Sequence, residues 1–262
     1  MNNIKNYIVV LVVLLTGNFA FSQVSDENIV QQRNENEVED NAKLFHFNLQ
    51  IKNMHLWKGL HVTDAPMTAA DLNYTSKNGF FKAGLWGGRG FNGDYTEFDY
   101  YVQFMHKGWS LAIWDINNYS DYPDAKIFDY DRNSTSHFID VILGYQFQQI
   151  PLKLSWSTIV QGRDTYINDN GSLKNAYSNY IEASYVVLDE SDWSLSLLAG
   201  GAFSFADVDA NFYGDEAGFT NLGVIYNRDL NIFDKYTLPV SATASWNPVK
   251  DYGAIQVAFN LF

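Results

Sequence analysis

The 262-residue chain carries 17 Lys+Arg against 30 Asp+Glu, a formal charge of -13 at neutral pH, with 16% aromatic residues and no cysteine. That balance argues against nucleic acid and anionic membrane surfaces as partners. The missing thiols exclude a disulfide framework and a lipid-modified cysteine, so stability has to come from packing and hydrogen bonds.

Residues 1–22 read as a cleaved secretory signal: Lys5 precedes the apolar run from Ile8 to Leu15, and Ala20 and Ser22 supply small residues at a cleavage site. The run is too short for a membrane-spanning helix, which takes about 20 apolar residues, and no later segment supplies one. Removing this leader takes one lysine and leaves 16 basic against 30 acidic residues, a charge of -14. Residues 23–43, including "VSDENIVQQRNENEVEDNAK", are acidic, Asn/Gln-rich and free of aromatics. They bury too little to offset the entropy of ordering and read as a flexible N-terminal segment.

From Leu44 onward the period is two. In "FHFNLQIK", Phe45, Phe47, Leu49 and Ile51 alternate with His46, Asn48, Gln50 and Lys52, the pattern of a strand that is apolar on one face. The same alternation recurs around Tyr100, Leu143, Leu154 and Val240. It predicts twelve strands, over 44–59, 67–76, 79–88, 94–106, 109–118, 135–148, 151–163, 175–188, 192–204, 217–228, 234–247 and 252–262. Ten and fourteen are the neighbouring even counts. The fold class is therefore all-β, an up-and-down antiparallel transmembrane barrel over residues 44–262 whose strands are long enough to cross a bilayer when tilted.

The connections alternate too. "SKNG", "HKG", "QQIP" and "DESD" are tight turns, while 119–134, 164–174 and 205–216 are long and rich in Asp, Asn, Gly and Tyr. Outer-membrane barrels keep short turns on the periplasmic side and long loops outside. The parity puts "HVTDAP" in an outward-facing first connection and makes His55, His61 and Lys58 loop or rim residues. One connection, 228–233, is longer than a periplasmic turn should be. The chain ends "GAIQVAFNLF", a terminal Phe after an alternating strand, although Phe262 falls one step off the parity of Ile255, Val257, Phe259 and Leu261.

The stretch "WKGLHVTDAPM", followed by "NGFFKAGLWGGRGFNGDYTEFDYYVQF", resembles the opening of the TorF-like family of Gram-negative outer-membrane porins. The matching residues are Lys58, Gly59, Asp64 and Pro66 around the turn, then Gly79, Phe80, Phe81, Gly84, Trp86 and Gly87, then Glu97, Asp99 and Tyr101. The likeness covers about the first four strands. It implies an outer-membrane barrel of porin type and confers no substrate.

Chemical alternatives fare less well. His55 and His61 with Asp64 match neither a helical nor a strand metal-ligand spacing. Asp207, Asp209 and Asn211 alternate like the start of a calcium loop, but Phe212 and Gly218 stand where glycine and a bidentate glutamate belong. Ser136 beside His137 is the nearest approach to a hydrolase pair, yet neighbours in a strand point to opposite faces and no Gly-x-Ser-x-Gly elbow exists. No cofactor and no enzyme activity are expected.

The inward set from alternation holds Lys52, Lys82, Glu97, Asp99, Asp140, Lys153 and Glu182. Placing such a lysine in lipid costs about 2–4 kcal/mol at mid-membrane, so these charges face water or one another. They either line a narrow passage for small hydrophilic solutes or, with Trp86, Tyr101 and Tyr180, fill the lumen. The first reading is a porin or narrow channel. A non-conducting barrel whose acidic loops bind a surface partner is the second, and a secreted soluble ligand-binding barrel the third. The partners expected of the first are outer-membrane lipid, the barrel insertion machinery and a small polar solute, at the cell outer membrane.

Overall fold

The computed structural model describes residues 43–262 apart from 207–209 and 234. The signal (1–22) and all of the acidic segment but Lys43 lie outside the described residues. The chain runs through β1 (Phe45–Lys52), β2 (His55–Trp57), β3 (Leu60–Thr63), β4 (Met67–Thr75), β5 (Phe81–Gly90), β6 (Thr96–His106), β7 (Trp109–Asn117) and β8 (His137–Gln146). It continues through β9 (Leu152–Gly162), β10 (Thr165–Ile167), β11 (Leu173–Asn175), β12 (Ser178–Asp189), β13 (Trp193–Ser204), β14 (Gly218–Ile232), β15 (Tyr236–Asn247) and β16 (Tyr252–Asn260).

Twelve of these strands close an antiparallel barrel, each beside its chain neighbour, with β1 pairing both β4 and β16 to seal the cylinder. The short pairs β2–β3 and β10–β11 stand apart as hairpins. The turn-end connections are short, including the one that looked too long in sequence: β14 runs on to Ile232, which pairs with Tyr236 of β15. The first strand departs from expectation. It ends at Lys52 instead of running through Leu56 towards Gly59, and residues 55–63 form a hairpin of their own.

Exposure along the strands is the reverse of a soluble protein. Phe47, Leu72, Leu85, Leu111, Leu143, Leu197 and Ile255 face outward and are exposed, while Gln50, Lys52, Lys82, Asp99 and Asp140 face inward and are buried. Apolar side chains on the outer surface and charges inside are stable only where the outside is hydrocarbon. The fold is thus a twelve-stranded transmembrane β-barrel. Aromatic pairs such as Trp109–Tyr145 and Trp193–Tyr226 collect at the turn end, as in an interfacial girdle.

Candidate functional site

The site is the lumen, and the first connection shapes it. Two β-forming triplets, His55-Leu56-Trp57 and Leu60-His61-Val62, flank Lys58-Gly59, and Trp57 pairs with Leu60 across a two-residue turn. Lys58 and Gly59 both have positive φ, 49° and 81°, the requirement of a type I′ turn whose twist matches its strands. A Cβ on Gly59 would stand 1.8 Å from the Thr220 carbonyl oxygen, so only glycine fits.

This hairpin folds into the barrel, which corrects the outward-facing loop expected from parity. One side is fastened to the wall of β15 and β16. The Leu56 amide donates to Gln256 Oε1 at 2.8 Å, and Asn247 Nδ2 and Tyr252 Oη donate to the Gly59 carbonyl at 3.0 and 2.8 Å. The other side meets β8, β9 and, from the connection before β14, Phe212 and Tyr213. The Trp57 ring packs against Phe138, Phe212 and Tyr213 at centroid distances of 5.6, 6.1 and 5.5 Å. Lys58, expected as a rim charge, instead reaches inward: its Nζ donates to Asp140 and, at 2.7 and 3.3 Å, to Ser157 Oγ and Tyr213 Oη. The ammonium also lies 4.5 Å from the Trp57 ring centroid, a cation–π distance.

His55 is likewise no rim residue. It is buried against Trp86, ring centroids 5.8 Å apart, and beside Tyr95. Burial, reinforced by the Lys52 charge, pushes its imidazole well below the usual range and keeps it neutral. His61 packs against Tyr252, ring centroids 4.3 Å apart and tilted by 46°, and contacts Asp64, Nδ1 to Oδ1 3.0 Å. The two histidines thus serve different surfaces, and no group of three metal-ligating side chains gathers among the described residues. Asp207 and Asp209 of the calcium-like run lie outside the described residues. Pro66 and Asp64 flank the return into β4 as a turn.

Around the hairpin the loop-end half of the lumen is packed. Met67, Trp86, Tyr95, Trp114, Phe138, Ile159 and Tyr213 form one buried cluster, with Trp57, Leu60, Val62 and Phe212 against it. Between the hairpin and the turn end lies a cavity of about 200 Å³. Of the seven inward charges read from alternation, Lys52, Lys82, Lys153 and Glu182 line it, joined by Lys58 and Asp71. Glu97, Asp99 and Asp140 do not, and lie towards the loop end. Glu97 accepts from Asn118 Nδ2 at 2.8 Å, Asp99 from the Asn117 amide at 3.0 Å, and Asp140 holds Lys58. The aromatic residues Trp86, Tyr101, Trp114 and Tyr180 also face the cavity, with Tyr101 and Trp114 stacked at 4.1 Å. Gly200 gives Tyr180 room to lie flat on the wall, since a Cβ there would stand 2.1 Å from the phenol oxygen.

Sequence reading missed the inward placement of Phe212 and the fully buried Tyr213, which carry no periodic signal. It missed the hairpin as well, although a two-residue turn between β-formers was available to find it. Ser136 and His137 do diverge: Ser136 Oγ donates to Asn117 Oδ1, while His137 Nδ1 meets Asp115 Oδ1 at 2.6 Å. With Tyr130, whose hydroxyl donates to Asp115 Oδ2 at 2.6 Å, this pair lies on the outward parity of β7 and β8 beneath the 118–136 connection.

No family model matches the chain, and no curated protein does. Among solved structures it is similar to the NanC porin, with a TM-score of 0.48 and 8% identity over 82% of this chain and 98% of that one. It is also similar to the translocator domain of the autotransporter NalP from Neisseria meningitidis, with a TM-score of 0.40 and 9% identity over 85% and 88% of the two chains.

Proposed function

We propose that this barrel is an outer-membrane channel for small hydrophilic solutes, narrowed at its loop end by the inward-folded β2–β3 hairpin. One observation carries the reading. A cavity of about 200 Å³ lined by six charged side chains runs inside a cylinder whose outer surface is apolar. Charges in such a place face water or a polar solute, and a passage lined by them sorts solutes by size and sign. The resemblance of the first strands to the TorF-like family and the leader-like sequence of residues 1–22 support the same reading, with the loop end outside, lipid around the wall and the insertion machinery as assembly partner. The soluble-barrel reading loses ground to the outward apolar residues.

The packing of Trp57, Phe212 and Tyr213 favours a second state of affairs, a barrel closed at rest. Planar-bilayer recording of the purified chain tests both. The channel reading expects small discrete steps from the native chain and larger ones when residues 53–66 are replaced by a short Gly/Ser linker. Steps only from the shortened chain would make the hairpin a plug. Silence from both across all voltages overturns the channel.

A further inference from the structure

We propose that the 118–136 connection is a membrane anchor: it lies against the outside of the wall at the depth of the outer leaflet and presents Ile127 and Phe128 to lipid hydrocarbon. Two connections send side chains into the lumen, and this one covers the opposite face. Asp115 stands between Trp114 and Ile116, both in the luminal cluster, so it points outward. Tyr100 is its register partner on β6, and His137 precedes the luminal Phe138. Tyr130 of the connection reaches all three from outside. Its hydroxyl donates to Asp115 Oδ2 at 2.6 Å and hydrogen-bonds the Tyr100 hydroxyl, and its ring centroid is 4.7 Å from that of His137. The cover is close: Ile113, the preceding outward residue of β7, is 40% exposed, whereas Asp115 is 8% and His137 0% exposed.

Depth makes this cover a lipid contact. Trp109 begins β7 at the turn-end girdle and pairs with Tyr145. A rise of about 3.4 Å per residue and a tilt of about 35–45° place Asp115 roughly 14–17 Å above Trp109, and Asn117 with its partner His137 roughly 19–22 Å above it. Both heights fall inside an apolar band about 25 Å tall. A carboxylate and an imidazole turned towards hydrocarbon there are strongly unfavourable unless covered and hydrogen-bonded, and whatever covers them has the same hydrocarbon beyond it. The connection has the surface this needs. The Asp129 amide donates to the Lys126 carbonyl at 2.9 Å and closes a turn whose two corner residues are Ile127 and Phe128, 41% and 78% exposed. Turn corners ordinarily carry Gly, Pro, Asn, Asp or Ser, so an exposed Ile-Phe corner is misplaced in water and well placed in lipid. The occupant is the hydrocarbon that surrounds Leu111, Ile113 and Leu143 on the same strands.

The chain has no cysteine, so Phe128→Cys takes a single nitroxide label. With the labelled barrel in dioleoylphosphatidylcholine vesicles, electron paramagnetic resonance compares collisions with oxygen, which enriches in lipid, and with a water-soluble nickel chelate. Oxygen is expected to dominate at 128, as at Ile113→Cys on the bare wall, and nickel at Asp169→Cys in the exposed β10–β11 turn. Adding Tyr130→Ala should free the anchor and raise nickel collisions at 128 severalfold. Tyr130→Phe, which keeps the ring and loses both hydrogen bonds, gives a smaller rise and serves where the alanine variant folds poorly. Nickel dominance at 128 in the otherwise native chain overturns the anchor. Shielding from both reagents with dipolar broadening between labels overturns it too, because a second copy of the chain would then cover the turn. Indifference of the label to both Tyr130 variants does the same, since the turn would not be held by the wall. None of these readings depends on conduction.

Discussion

Towards the loop end the barrel interior is filled by side chains from the strands and from two connections that fold inward, whereas towards the turn end the same strands enclose a polar cavity. The wall itself differs little between the two halves. An eight-stranded barrel is about filled by its own inward side chains, and twelve strands leave more width than the wall alone can occupy. To the wall side chains of the loop half, among them Trp86, Trp114, Phe138 and Ile159, the connections add Trp57, Leu60 and Val62 from the hairpin and Phe212 and Tyr213 from before β14. The extra filling therefore belongs to the connections, while the ladder hydrogen bonds of the cylinder are made by the wall strands alone.

The sharpest way to break this contrast is at the joint between hairpin and wall. Lys58→Met strands Asp140, which is wholly buried and whose other oxygen has no partner. Removing one member of a buried pair costs about 3 kcal/mol or more, and Asp140→Asn in the same chain should restore most of it. Urea unfolding in detergent micelles measures both. Equal stability of the single and double variants would mean that water already reaches Asp140 and that the loop half is not packed. The next effect is a comparison of the halves themselves. Trp57→Ala removes a ring from the packed half and should cost about 3 kcal/mol. Ser155→Ala, on the cavity wall, should stay within roughly 0.5 kcal/mol. Similar costs at both positions would erase the distinction.

The wall was legible in sequence because two solvents act on its two faces. Phe45, Phe47 and Ile51 against Gln50 and Lys52 announce lipid on one side and water on the other, and the registers found follow that parity strand by strand. The hairpin was not legible for the same reason in reverse. His55-Leu56-Trp57 again sets polar against apolar residues and so reads as more strand, but Leu56 falls on the parity of Gln50 and Lys52, and inside the lumen His55 and Leu56 are both buried. What draws it in comes from far along the chain, Asp140, Thr220, Asn247, Tyr252 and Gln256, and no local pattern announces those contacts. The inward charges show the same limit. Alternation finds which side Lys82 and Asp99 face, but not that one lines a cavity while the other is sealed beneath Asn117.

Gly59 sharpens the comparison most finely because it tests the seat of the hairpin without touching its charge or its rings. Gly59→Ala adds one methyl group at a positive φ of 81°, directed at the Thr220 carbonyl. Backbone strain of this kind costs about 1–3 kcal/mol, less than a barrel holds in its ladder but enough to unseat a two-stranded hairpin. The twelve-stranded wall should therefore persist, seen as unchanged β-signal and the same heat-modified mobility on gels. The hairpin should leave the lumen, seen as faster hydrogen exchange at the Leu56 amide, which loses Gln256, and as longer open times in bilayer recordings. Protection at Leu56 equal to that of the native chain would show that Thr220 and the turn yield together, and the packed half would then be a more deformable closure than its contacts imply.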